Sequence, residues 1–224
     1  MNTNNILSHI TKREKHDLII AWLAIAIAFT LIFVRDRITP ETFLLFFGVS
    51  LLTVGLGFAL HELAHKFTAI KFGYWAEFRR DNQMLVIAVA LAALVGVVFA
   101  APGATVIYSR DGRPMTAKEN GMISAAGPMV NLILCVPFLL LIILGAVLGA
   151  GFLPFLLTIT GLVGMSVNSM IAFFNLLPVS VLDGKKILSW NPAVFAALII
   201  VSLVMILISQ DYGGILDSIV QIFA

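Results

Sequence analysis

The residues best suited to chemistry are His61-Glu62-Leu63-Ala64-His65. On a helix, positions i and i+4 lie one turn apart on the same face, so both imidazoles can converge on one metal. Imidazole nitrogens bind Zn²⁺ at about 2.0–2.1 Å. Glu62, next to the first ligand, is placed to take a proton from a zinc-bound water. Such pentads also arise by chance, but the setting argues against chance here. Of four histidines, the two outside the N-terminal stretch are this pair, and they lie in an apolar run. Ionisable side chains near the centre of a span cost about 2.5–3.5 kcal/mol each on insertion scales. Structural zinc sites release roughly 10–16 kcal/mol, enough to offset that burial. A catalytic zinc usually takes three protein ligands and leaves one position open. The best candidate for the third is Asp183, in Asn175-Leu176-Leu177-Pro178-Val179-Ser180-Val181-Leu182-Asp183-Gly184. There Pro178 interrupts a helix and Gly184 permits a turn. The plain alternative for Asp183 is a turn residue at a helix end. Asp81, Asp111, Asp211 and Asp217 lie in or beside polar stretches and suit the role less well.

The elements that must position these residues are apolar. In 224 residues, 60% are hydrophobic and 12% charged, and the mean hydropathy is +1.04. Soluble domains carry roughly 45–50% apolar and about 25% charged residues, so this surface does not suit water. Soluble globular, disordered and nucleic-acid-binding classes are excluded together, and the lipid bilayer is the implied partner. The net charge of +2 comes from short clusters between apolar runs, not from a basic face. Cys135, the sole cysteine, offers neither a disulfide framework nor a cysteine zinc site.

The fold class is therefore an all-α polytopic membrane protein, read as a single integral membrane domain over 1–224. Its apolar stretches are roughly 18–34, 43–65, 84–100, 123–148, 155–177 and 193–209. Residues 43–188 form the catalytic core, with 18–34 and 193–209 as peripheral spans. The first stretch is read as an uncleaved span. If all six stretches cross, Lys and Arg divide equally between the two sides, against the positive-inside rule. If 84–100 instead enters and returns, only Arg35 and Arg37 lie outside, and the other twelve lie inside with the N-terminus in the cytoplasm. That stretch is short and runs into Ala101-Pro102-Gly103, which would break a helix. Five crossings plus one re-entrant segment are expected. The second and fifth stretches then run parallel, which brings the histidines and Asp183 to the same cytoplasmic border, beside Lys66 and Lys185.

The pentad His61–His65 and the segment Asn175-x-x-Pro178-x-x-x-x-Asp183-Gly184 together resemble the paired signatures of the site-2 protease family of intramembrane zinc metalloproteases. A third piece, Gly127-Pro128-Met129-Val130-Asn131, resembles that family's Gly-Pro-x-x-Asn helix start. Pro178 is a single proline where family members often have more, and 84–100 is longer than a minimal core needs. The resemblance implies one Zn²⁺ per chain on His61, His65 and Asp183, with Glu62 activating water. It also implies that Asn131 and Asn175 lie near the substrate or oxyanion; interhelical hydrogen bonding is the plain alternative. The implied activity is hydrolysis within or near transmembrane segments of membrane-protein substrates, as in regulated intramembrane proteolysis.

A transmembrane helix hides its backbone carbonyls, so a substrate must unwind before cleavage. A short β element near 101–109, with Ala104-Thr105-Val106-Ile107-Tyr108, is the candidate for holding it by strand addition, with an ordinary connecting strand or loop as the plain alternative. Gly145-x-x-x-Gly149 and Gly161-x-x-Gly164 are read as helix-packing positions. A peptidase with a later Glu or His ligand is a weak rival, because no His follows His65 and Glu77 and Glu119 lie in polar connections. A catalytically inactive scaffold, or a transporter of ions or small solutes, is the rival from another class.

Overall fold

The computed structural model describes residues 9–98, 103–109 and 112–210. Pro102, Asp111, Asp211 and Asp217 lie outside them. Among the described residues, five helices are long and apolar enough to cross a membrane: Lys12–Phe33, Pro40–Lys71, Ala117–Leu148, Phe152–Asn175 and Pro192–Ser209. The protein is an all-α multi-pass membrane protein with one small sheet. Its chain divides into two compact units, Met1–Glu119 and Asn120–Ala224.

The first unit opens with α1 (Lys12–Phe33), capped by the Thr11 hydroxyl, which accepts from the Glu14 N–H. The next span starts at Thr39, whose side chain exchanges hydrogen bonds with Thr42 in a capping box, with Pro40 in the first turn. This span is α2 (Pro40–Ser50), a π-helical turn (Leu51–Gly55) and α3 (Leu56–Lys71) in unbroken succession. Trp22 explains the π turn. Its indole N–H donates to the Leu51 carbonyl at 3.0 Å, and a Cβ on Gly55 would lie 1.8 Å from its ring. Trp22 thus packs between α1 and this span.

Strand β1 (Trp75–Arg80) pairs antiparallel with β2 (Gly103–Tyr108), and Arg80 faces Gly103 in the register. Between them lies α4 (Asn82–Val95), begun by Asp81, whose carboxylate accepts from the Gln83 and Met84 N–H groups. Facing residues of an antiparallel pair are about 5 Å apart. The chain therefore leaves β1 and returns to the same place, as expected for a re-entrant segment. The helix ends earlier than Pro102, at Gly96, which has φ 77°. There the Arg35 guanidinium donates to the Val95 carbonyl at 2.9 Å. Helix α4 packs against α1, and both bury alanines, Ala21, Ala26 and Ala28 on one and Ala88 and Ala92 on the other.

The second unit holds most of α5 (Ala117–Leu148), with α6 (Phe152–Asn175), α7 (Asp183–Trp190) and α8 (Pro192–Ser209). Helices α5 and α6 form an antiparallel hairpin. Added Cβ atoms would meet Thr158 Oγ1 at 2.2 Å from Gly145, and the Phe138 ring at 2.2 Å from Gly164. Gly149 is not a packing residue, since it lies beyond the helix end with φ 78° and open space around it. The hairpin core is Cys135, Phe138, Ile142 and Met165. A second cluster, Ala125, Leu176 and Ile187, packs against Trp190 and one face of α8.

Candidate metal centre

Helix α3 presents two adjoining stripes, each at i, i+4 spacing. Phe58, Glu62 and Lys66 form the stripe that meets the sheet. Phe58 packs edge-on against Phe78 of β1, with ring centroids 5.5 Å apart. Glu62 Oε2 accepts from the Thr105 hydroxyl of β2 at 2.8 Å. Lys66 Nζ donates to the Ala76 carbonyl at 2.8 Å and to Glu14 Oε2 at 2.5 Å. The second stripe is His61 and His65, 4% and 8% exposed, with their Nε2 atoms 3.0 Å apart. Two ligands on one tetrahedral zinc, each at about 2.0 Å, stand roughly 3.3 Å apart. The histidine pair therefore has the spacing of ligands sharing one ion.

Asp183 opens α7, where a carboxylate is favoured by the helix dipole. It is buried, and Lys186 Nζ lies 3.6 Å from its Oδ1. The expected turn at Gly184 is not there. The turn falls at Ser180, with φ 48°, and Gly184 is helical. Its lack of a side chain serves close approach, because an added Cβ would lie 2.0 Å from the Leu176 carbonyl oxygen. Helix α6 stops at Asn175, three residues before Pro178, as the proline requires. One donor atom from each of His61, His65 and Asp183 lies within 4.8 Å of the other two. Two neutral nitrogens and one carboxylate oxygen form a donor set that suits Zn²⁺ and leaves a fourth position for water.

No protein-family model and no solved structure matches the chain. Over 187 residues, 83% of this chain and 88% of the relative's length, it is 39% identical to a protein of Methanocaldococcus jannaschii named "Putative zinc metalloprotease". The chain belongs to this zinc metalloprotease family.

Against that zinc metalloprotease background, the remaining sequence expectations divide. Asn131 is fully buried and donates to Asn168 Oδ1 at 2.8 Å, while Asn168 donates to the Gly164 carbonyl. This is the interhelical bond weighed as the plain alternative. Asn168 went unread in the sequence, although a lone amide inside an apolar span is itself a signal. Asn175 is half-buried and donates to the Ile171 carbonyl at 3.0 Å. The Gly127-Pro128 pair does not start a helix. Helix α5 begins at Ala117, behind a capping box in which the Glu119 N–H donates to Thr116 Oγ1 and the Thr116 N–H to Glu119 Oε2. Pro128 lies inside it.

Lys66 is the main correction. Expected among the basic residues of the cytoplasmic membrane border, it is instead 1% exposed. Its partner Glu14, equally buried, also accepts from the Phe78 N–H at 3.1 Å. Around this pair, Thr11 donates to Glu77 at 2.6 Å, Arg79 pairs with Glu77, and Arg80 pairs with Asp17 at 3.4 Å. The start of α1 is thus bound to β1 and to the residue directly after His65.

Proposed function

We propose that the protein is an intramembrane zinc metalloprotease of the site-2 type, cutting peptide bonds within or near transmembrane segments of membrane-protein substrates. The grouping of His61, His65 and Asp183 donor atoms within 4.8 Å, in a chain whose described residues include five apolar helices of spanning length, carries this reading. In it these three residues hold one Zn²⁺ per chain. Zinc, when bound, polarises the scissile carbonyl and lowers the pKa of water. Glu62 takes the proton of the attacking water and returns it to the leaving amine.

Among the described residues β2 pairs with β1 alone, and its other edge receives the unwound substrate as an added strand. Ala104, Val106 and Tyr108 are exposed along it, while Thr105 and Ile107 are half-buried on the alternate side. Of the two asparagines, Asn175 is the one we assign to substrate, since it ends α6 and is half-buried. Asn131 holds α5 to α6 through Asn168. The clustering of Lys and Arg assigns the N-terminus and the site end to the cytoplasm. The test incubates the purified, zinc-loaded protein in detergent with single-span substrates, with and without chelator, beside a Glu62→Gln variant. Cleavage abolished by chelator and by the variant is expected. Normal proteolysis by Glu62→Gln would reject the mechanism, and chelator-insensitive cleavage would reject the metal.

A further inference from the structure

A general base must hold its carboxylate within about 2.6–3.2 Å of the proton it abstracts. Glu62 has several rotatable bonds with which to miss. Among the described residues, its carboxylate has one hydrogen-bond partner, the Thr105 hydroxyl, 2.8 Å from Oε2. The same hydroxyl lies 3.2 Å from the Glu62 carbonyl oxygen. A hydroxyl has a single proton, and the contact to the carboxylate oxygen is the shorter of the two.

Three features fix that hydroxyl in space. Thr105 and Phe78 are register partners across the sheet. Phe78 packs on Phe58, one helical turn before Glu62 on the same stripe of α3. Two successive positions of one helix stripe therefore meet two facing residues of the sheet. Gly103 tightens the register, since a Cβ there would lie 2.3 Å from the Arg79 carbonyl oxygen. Finally, threonine is branched at Cβ and stiff at χ1, so its Oγ1 has little freedom to turn away.

We propose that Thr105 is a positioning residue for the general base: by donating to Oε2 it occupies one carboxylate oxygen and turns Oε1 toward the attacking water. The inference rests on the proteolytic reading above. It couples the strand offered to substrate with the acid that does the proton transfer, through one side chain.

The test compares Thr105→Val, which keeps the shape and loses the hydroxyl, with Thr105→Ser, which keeps the hydroxyl. Steady-state cleavage of a single-span substrate, zinc content and thermal stability in detergent are measured for both, beside wild type and Glu62→Gln. Hydrogen bonds to charged groups are worth enough that Thr105→Val is expected to lower kcat by about ten- to a hundredfold. KM, zinc content and melting temperature stay at wild-type values, and Thr105→Ser recovers most of the rate. Wild-type kcat in Thr105→Val beside an inactive Glu62→Gln overturns this inference and leaves the protease reading standing. A loss that appears in KM or zinc content, or that Thr105→Ser shares in full, overturns it equally, because it assigns Thr105 to the sheet and not to the base. Cleavage by Glu62→Gln brings down the reading itself.

Discussion

Lys66→Met probes how the helix bearing the histidines is held. Lys66 and Glu14 are 1% and 0% exposed, 2.5 Å apart. Methionine keeps most of the side-chain volume, so the change removes the charge and two hydrogen bonds without opening a large cavity. It leaves the Glu14 carboxylate buried with, among the described residues, only the Phe78 N–H for compensation. Removing one partner of a buried pair costs about 3–5 kcal/mol. For a chain of this size each kcal/mol moves the melting temperature by about 2–4 °C, so a fall of roughly 6–20 °C is expected. The double variant Glu14→Gln with Lys66→Met leaves no charge at this pair and keeps an acceptor for Phe78, because Gln retains Oε1. It should recover more than half of the loss, since uncharged replacements of buried pairs are often near neutral. Thermal unfolding of the four proteins in detergent completes the cycle. Additive losses, with the double variant worse than either single one, would refute the reasoning. So would a Lys66→Met protein within about 0.5 kcal/mol of wild type, as an ordinary surface change gives. Because Lys66 directly follows His65, the single variant should also bind zinc more weakly, measured by chelator competition.

Gly184→Ala drives a Cβ against the Leu176 backbone, so zinc content and melting temperature should both fall; retention of both would show that the α6–α7 connection yields easily. Asn131→Leu removes the donor to the buried Asn168 Oδ1 and should cost about 1–3 kcal/mol in thermal stability, with KM unchanged. Asn175→Ala is expected to do the reverse, changing cleavage kinetics with little effect on melting. An equal kinetic effect from both would return Asn131 to the substrate.

Much of the fold was legible because lipid imposes a simple rule. Apolar runs long enough to span must be helices, and the expected stretches fall within or close to the observed ones. Local signals also set ends that were missed, such as Thr39-Pro40 and Thr116 with Glu119, because capping side chains draw helices out into the polar connections. Strand β1 went unread. Trp-Ala-Glu-Phe-Arg-Arg carries three charges and looks like a loop until β2, more than twenty residues later, supplies its partner. The same non-local dependence hid Lys66, whose acid lies 52 residues back in the chain. Among the clustered N-terminal charges, Glu14 and Asp17 turn inward, and spacing alone does not reveal which. Helix α7 was hidden by its length of eight residues and by the turn-forming types around it. That His61, Glu62 and His65 share one helical turn was legible because i, i+4 spacing on a helix sets it. Thr105 was read as part of a strand and not as a partner of Glu62, since only the folded register brings them together.

Zinc stoichiometry tests the central claim most directly. Metal analysis of purified Glu62→Gln should give one zinc per chain with no cleavage of a single-span substrate. Asp183→Ala should lose most of its zinc together with its activity. An Asp183→Ala protein that binds zinc with wild-type stoichiometry and affinity would contradict the account, because the two histidines would then be holding the ion without their distant carboxylate.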